Sequence, residues 1–106
     1  MDKLLAFTLK HNLMPPVVPE FPGITVGGAV QGGSGESGSF KYGEFHDSCF
    51  EYEMILGNGE IVTASATQNP DLFAGTDSSY GSLGIMTKVS ISLVPAHKYV
   101  ELTYSL

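Results

Sequence analysis

The stretch "GITVGGAVQGGSGESGSFKYG", residues 23–43, contains eight of the thirteen glycines of the chain. Within it, residues 33–38 spell G-x-G-x-x-G, a pattern that is often associated with dinucleotide-binding turns. The stretch links an apolar segment, residues 24–30, to an aromatic-rich segment that begins at Phe40. The fold of the chain depends on which structure these glycines adopt.

Three interpretations of residues 32–38, named here the glycine loop, are compatible with the residues alone. A dinucleotide-binding turn requires a strand before the glycines and a helix after them. The β-rich residues 23–26 predict a short strand, but residues 39–48 lack helical periodicity, which disfavours this turn. A flexible Gly/Ser linker should join two self-sufficient units, and the segment before the loop is short for one. The third interpretation is a backbone wall whose N–H groups approach an anion closely, because glycine has no side chain.

Composition narrows the classes of ligand that such a wall could bind. The chain has 106 residues, enough for one small domain, and we find no internal repeat and no second domain. Its formal net charge is -6 and it has no arginine, which argues against nucleic acid as a partner. An anionic ligand would therefore have to be held by backbone N–H groups. A P-loop is excluded because the motif G-x-x-x-x-G-K-[ST] does not occur.

The single cysteine, Cys49, cannot form an internal disulfide and indicates a reducing compartment, so we expect a cytoplasmic location. No apolar run reaches the length of a membrane span and no signal peptide is visible at Met1. The sequence therefore predicts no membrane segment in this chain.

Alternation and turn residues predict the regular elements. Apolar and acidic residues alternate from Phe50 to Leu56, the Asn58-Gly59 pair predicts a hairpin turn, and residues 60–66 form the returning strand. Asn69 and Pro70 predict the start of a helix that ends at Gly75.

The two ends of the chain carry further predicted elements. Residues 2–11 predict a short amphipathic helix with Asp2 as its N-cap, and the four prolines of residues 15–22 predict an extended segment. Residues 85–94 predict a long strand closed by Pro95, and residues 99–104 another. These elements together predict an α+β fold in which an antiparallel sheet is flanked by short helices.

Two polar clusters could suggest chemistry. His46, Asp47 and Cys49 lie close in sequence, but a metal site needs more ligands, and a packed cysteine beside a surface histidine is the simpler interpretation. Glu51 and Glu53 share one face of a strand, which indicates the solvated face rather than an acid–base pair. The sequence identifies no catalytic residue.

Several motifs, in a consistent order, resemble those of the vanillyl-alcohol-oxidase (PCMH-type) flavoproteins. They are the proline-rich approach, Thr25-Val26-Gly27-Gly28, the glycine loop, Lys41-Tyr42-Gly43, Asn69-Pro70-Asp71-Leu72-Phe73 and Gly81-Ser82-Leu83-Gly84-Ile85. Within that family, the sequence is most similar to the branch of the sterol side-chain reductases. The resemblance covers nearly the whole chain.

The resemblance implies a fold and a set of cofactor-binding residues. Residues 1–106 would be the second subdomain of a PCMH-type FAD-binding domain, without the pyrophosphate-binding subdomain and the substrate cap domain, which would be its partners. It implies a backbone wall beside FAD, and the glycine spelling G-x-G-x-x-G would then be coincidental. The implied cofactor-binding residues are Thr25, Val26, Gly27, Gly28, Gly32, Gly33, Ser34, Gly35, Glu36, Ser37, Gly84 and Ile85.

The resemblance also implies a function. The parent enzyme would be an FAD-dependent oxidoreductase that transfers a hydride through flavin N5, with this chain alone inactive. FAD would be bound non-covalently, because residues 20–23, just before the T-V-G-G motif, contain no cysteine for a covalent link. The alternative is a non-catalytic fragment that binds no flavin unaided and needs a partner half to fold or function.

Overall fold

The computed structural model describes residues 1–105, and its centre is a three-stranded antiparallel sheet. In chain order, the strands found within these residues are β1 (Leu13–Met14), β2 (Cys49–Ile55), β3 (Ile61–Ser65), β4 (Ile85–Ile91) and β5 (Val94–Pro95). The sheet has the order β3-β2-β4, while β1 and β5 form a separate two-stranded pair. The helices are α1 (Asp2–Leu9), α2 (Val26–Gly32), α3 (Ser39–Tyr42) and α4 (Pro70–Thr76), with a 3₁₀ helix at Phe45–Ser48. The predicted α+β class with antiparallel strands is confirmed.

The central strand β2 supplies the core because its side chains alternate between the two faces of the sheet. Tyr52 and Met54 point inward and are fully buried, with Phe45 and Val30 packed in the same core. The register with β3 pairs Tyr52 with Ala64, which is also buried. The predicted hairpin is therefore confirmed, and its turn places Gly59 at a positive φ of 85°.

Residues 23–26 do not form the predicted strand; they lead into helix α2. Thr25 is the N-cap residue, and its side-chain oxygen accepts a hydrogen bond of 3.0 Å from the N–H of Gly28. This capping bond satisfies one of the donors at the start of the helix. It therefore outweighs the β preference of Ile24, Thr25 and Val26. As a result a helix, not a strand, precedes the glycine loop.

The strand predicted over residues 85–94 ends earlier, at Ile91. The N–H of Ser92 donates to the carbonyl oxygen of Ser48, and the chain then turns so that Val94 and Pro95 pair with Met14 and Leu13. The strand predicted over residues 99–104 is absent: no strand is found there within residues 1–105. Alternation predicts which face is apolar, but a strand also needs a neighbour to complete its hydrogen bonds.

Two helix boundaries also differ from the sequence prediction. The N-cap of α1 is Met1, and Asp2 lies in the first turn, where its carboxylate accepts from the N–H of Lys3 at 2.7 Å. Helix α4 begins after Asn69 with Pro70 at its first position, as predicted, but it continues through Gly75. None of the helices within residues 1–105 is long and apolar enough to cross a membrane.

Candidate functional site

The T-V-G-G segment begins helix α2 beside strand β4. Adding a Cβ at Gly28 would place it 2.8 Å from the Thr25 hydroxyl oxygen, so a side chain there would force the capping hydroxyl to shift. A Cβ at Gly27 would contact the Met86 sulfur at 3.8 Å, an ordinary distance. Gly27 is therefore more tolerant of a small side chain toward the protein than Gly28 is.

A groove of about 300 Å³ opens where α1, the start of α2 and β4 meet. It brings two of the predicted residues, Val26 and Gly27, to the exposed edge strand of the sheet. Its lining residues are Leu4, Val26, Gly27, Met86, Thr87, Lys88, Val89 and Ile91.

The glycine loop begins where α2 ends, and it is packed there rather than free. Gly33 has a positive φ of 70°, a region that favours glycine. A Cβ at Gly33 would also lie 2.8 Å from the hydroxyl oxygen of Ser78 and 3.2 Å from a carboxylate oxygen of Glu44. In contrast, a Cβ at Gly32 would meet no atom within 4 Å.

The rest of the loop is held by hydrogen bonds to neighbouring segments. The carbonyl oxygen of Ser34 accepts from the N–H of Phe45 at 2.9 Å, which ties the loop to the 3₁₀ helix. The N–H of Glu36 donates to the Ser39 hydroxyl at 2.9 Å. The Glu36 carboxylate accepts from the N–H of Glu20 at 3.2 Å, which ties the loop to the proline-rich segment. These bonds argue against a flexible linker.

Two glycines of the loop differ in the space around them. At Gly38, a Cβ would lie only 2.6 Å from the carbonyl oxygen of Pro16, so the close approach of two backbones requires glycine. At Gly35, a Cβ would make an ordinary contact of 3.5 Å with the Ser39 hydroxyl. Ser37, between them, lies exposed in a turn.

Gly84 and Ile85 lie at the start of β4 and are linked to the glycine loop through α2. The Gln31 side-chain amide donates to the carbonyl oxygen of Gly84 at 3.3 Å. A Cβ at Gly84 would lie 2.6 Å from the carbonyl oxygen of Ile55. Ile85 is exposed, and both residues line a second open pocket of about 420 Å³, whose other lining residues are Ile55, Leu56, Gly57, Gly81, Ser82 and Leu83.

The structure adds residues that the sequence did not single out. The N–H of Ser78 donates to the carbonyl oxygen of Val30 at 3.2 Å, and the N–H of Tyr80 donates to that of Gln31 at 2.7 Å. The segment 77–84 therefore holds the end of α2, where the glycine loop begins. These bonds join residues more than forty positions apart, so no local sequence signal could have indicated them.

In the cluster of His46, Asp47 and Cys49, the thiol donates to the carbonyl oxygen of Phe45 at 3.6 Å and not to His46 or Asp47. Nδ1 of His46 lies 3.5 Å from a Glu44 carboxylate oxygen, and its Nε2 lies 3.9 Å from one of Asp47. Burial raises the pKa of the Cys49 thiol to about 11, so the thiol is protonated and a poor nucleophile at neutral pH. Within residues 1–105, no group of three or more potential metal ligands is found.

Next to Cys49, Tyr52 and Asp77 form a polar contact that the sequence did not predict. The Tyr52 hydroxyl donates to the Asp77 carboxylate at 2.7 Å. Burial, together with this hydrogen bond, raises the pKa of Tyr52 well above its usual range. The bond joins the central strand to the segment that follows α4, and so to residues 77–84.

Comparison with known proteins relates this geometry to a family. The family model described as "FAD binding domain" matches residues 1–65. The chain is 42% identical over 104 residues to the Delta(24)-sterol reductase of Homo sapiens. This match covers 98% of this chain and 20% of the reductase. The chain is also 33% identical over 105 residues to cytokinin dehydrogenase 1 of Arabidopsis thaliana. This match covers 96% of this chain and 18% of the dehydrogenase. The chain thus spans about one fifth of the length of these relatives.

A solved structure has the same fold. The crystal structure of 6-hydroxy-D-nicotine oxidase from Arthrobacter nicotinovorans is similar with a TM-score of 0.82 at 20% sequence identity, covering 89% of this chain and 20% of that one. The antiparallel sheet flanked by short helices is thus a fold that this chain shares with that oxidase. The chain belongs to the FAD binding domain family, and the resemblance to the vanillyl-alcohol-oxidase flavoproteins is confirmed.

Proposed function

We propose that this chain contributes one wall of an FAD site through the backbone of T-V-G-G and the glycine loop. The observation that carries the proposal is the open space at Gly32 and Gly35, where the protein itself tolerates a Cβ. Gly32 lies in the last turn of α2, where glycine costs about 0.5–1 kcal/mol relative to alanine. The fold does not require glycine at either position. A ligand that approaches the backbone closely would explain why both positions are glycine.

The glycine loop suits a phosphate-bearing cofactor through its backbone N–H and hydroxyl donors and not through positive charge. The chain has no arginine and a formal net charge of -6, so side-chain cations contribute little to anion binding. The loop instead offers small residues and hydroxyl groups, which donate hydrogen bonds without bulk. The predicted contacts of Gly84 and Ile85 with FAD belong to the same proposal, since Gln31 links them to the loop.

The reaction belongs to the proposal for the larger protein. FAD, when bound, supplies hydride transfer at its N5 atom, and this chain supplies binding and orientation. Identity of 42% to Delta(24)-sterol reductase, against 33% to cytokinin dehydrogenase 1, favours a reductase that acts on a sterol. We assign no catalytic residue in this chain.

We further propose that FAD is held non-covalently by this chain. Cys49, the single cysteine, is buried and its pKa is raised to about 11, so it does not provide a thiolate for a flavin linkage. Precipitation of the FAD-loaded chain with acid should release all of the flavin into the supernatant. Flavin that stays with the protein pellet would contradict this assignment.

The test of the proposed wall is an FAD titration of the purified chain, followed by flavin absorbance and fluorescence. We expect saturable binding, and binding about ten-fold or more weaker in Gly35→Val, because the added side chain occupies the space of the ligand. Ala66→Val, which adds similar bulk at an exposed position after β3, is the matched control and should bind like the wild type. Circular dichroism checks that each variant is folded.

The outcomes separate the two interpretations of the chain. Saturable binding that Gly35→Val weakens supports the wall. A folded chain that binds no FAD contradicts the proposal and favours the alternative of a fragment that depends on a partner half. Equal affinity of Gly35→Val and the wild type would contradict the assignment of the glycine loop.

A further inference from the structure

Tyr80 combines a strained backbone with an unpacked side chain. Its φ is 55°, in the left-handed region that bulky residues rarely adopt, and its side chain is 83% exposed. Ser78, two residues earlier, has the same φ of 55°. A left-handed conformation costs an L-residue stability, and an exposed ring gains little packing to offset it. The fold alone therefore gives no reason for an aromatic residue at this position.

The backbone of Tyr80 is nevertheless held firmly beside the glycine loop. Its N–H donates to the carbonyl oxygen of Gln31 at 2.7 Å, one residue before Gly32. The bond from Ser78 to the carbonyl oxygen of Val30 fixes the same segment one residue earlier along α2. The Tyr52–Asp77 hydrogen bond anchors the segment to the central strand. A strained, exposed aromatic residue is thus held in place next to the backbone that we assign to FAD.

We propose that Tyr80 is a binding residue that stacks on a planar ring of FAD. This inference rests on the proposed function. An aromatic ring suits the ligand because stacking needs only an exposed π-face and adds no charge near the phosphates. FAD offers two such rings, adenine and isoalloxazine, and both share this chemistry.

The first measurement is the affinity for FAD of the wild type, Tyr80→Ala, Tyr80→Phe and Tyr99→Ala. Loss of the ring in Tyr80→Ala should weaken binding about ten-fold or more, whereas Tyr80→Phe keeps the ring and should bind like the wild type. Tyr99 is 80% exposed and lies after β5, so Tyr99→Ala controls for the loss of an exposed tyrosine. Equal affinity of Tyr80→Ala and the wild type would overturn the inference but not the proposed function. A wild-type chain that binds no FAD would overturn both.

The second measurement separates ligand binding from stability. In Tyr80→Gly the strain is relieved and the ring is lost, so Tm should rise by a few degrees while FAD binding weakens. A lower Tm would show that Tyr80 serves the fold and would contradict the inference. Titrations with FMN, which carries isoalloxazine, and with ADP, which carries adenine, identify the ring. Tyr80→Ala should weaken the binding of one of these two probes. Unchanged binding of both probes, where the wild type binds them, would also contradict stacking.

Discussion

The β2–β3 hairpin and the glycine loop are ordered in different ways. In the hairpin, alternate side chains are buried: Tyr52 and Met54 are almost completely enclosed, while Ile61 on the edge strand is 67% exposed. In the glycine loop, close packing of the backbone determines the conformation, because at Gly38 the protein leaves no room for a side chain. The hairpin is therefore stabilised by the burial of its side chains, whereas the loop conformation requires a residue without a side chain at Gly38.

Within the glycine loop, the glycines differ in how much space surrounds them. A Cβ at Gly38 would lie 2.6 Å from the carbonyl oxygen of Pro16, whereas a Cβ at Gly32 would meet nothing within 4 Å. The crowded glycine serves the fold and the open one does not. Mutations that add or remove one small group can therefore distinguish glycines kept for packing from those we assign to the ligand.

The largest expected effect lies in the hairpin. Met54→Ala removes a side chain that is 0% exposed, and we expect it to lower the free energy of unfolding by about 2–5 kcal/mol. Ile61→Ala, on the neighbouring strand, is the control and should change it by less than about 0.5 kcal/mol. Urea denaturation followed by circular dichroism measures both. Similar losses in the two variants would mean that alternation does not define the core.

An intermediate effect is expected at the crowded end of the loop. Gly38→Ala forces a Cβ against the carbonyl oxygen of Pro16, so the backbone must shift and the free energy of unfolding should fall by about 1–3 kcal/mol. Gly35→Ala adds the same methyl group at an ordinary contact distance and should be close to neutral. The same denaturation experiment compares them. A Gly38→Ala variant as stable as the wild type would remove the distinction between crowded and open glycines.

The smallest expected effect has the opposite sign. Gly32→Ala fills open space in the last turn of α2 and should raise the free energy of unfolding by about 0.5–1 kcal/mol. Its affinity for FAD should fall, because the methyl group narrows the approach to the backbone. Thermal denaturation and FAD titration of the same preparation measure the two quantities. A variant that is both more stable and unimpaired in FAD binding would contradict the role of Gly32 in the wall.

Sequence reasoning predicted the hairpin, the antiparallel α+β class and the family, and these are confirmed. The placement of the FAD-binding residues stays a prediction, although the structure connects the glycine loop with Gly84 through Gln31. Sequence reasoning was wrong at residues 85–94 and 99–104, where a strand also needs a neighbour, and at residues 23–26, where two local preferences compete. Residues 23–26 have β propensity, but Thr25 also caps a helix, and the capped helix forms.

What the sequence determined by itself is local in physical origin. The alternation of β2 needs only neighbouring residues, and the Asn58-Gly59 turn needs only the positive φ that Gly59 adopts at low cost. The tertiary structure decided which glycines are crowded, that Tyr52 bonds Asp77, and that β4 stops at Ile91. These features depend on contacts between distant segments, and their geometry exists only after the chain has folded.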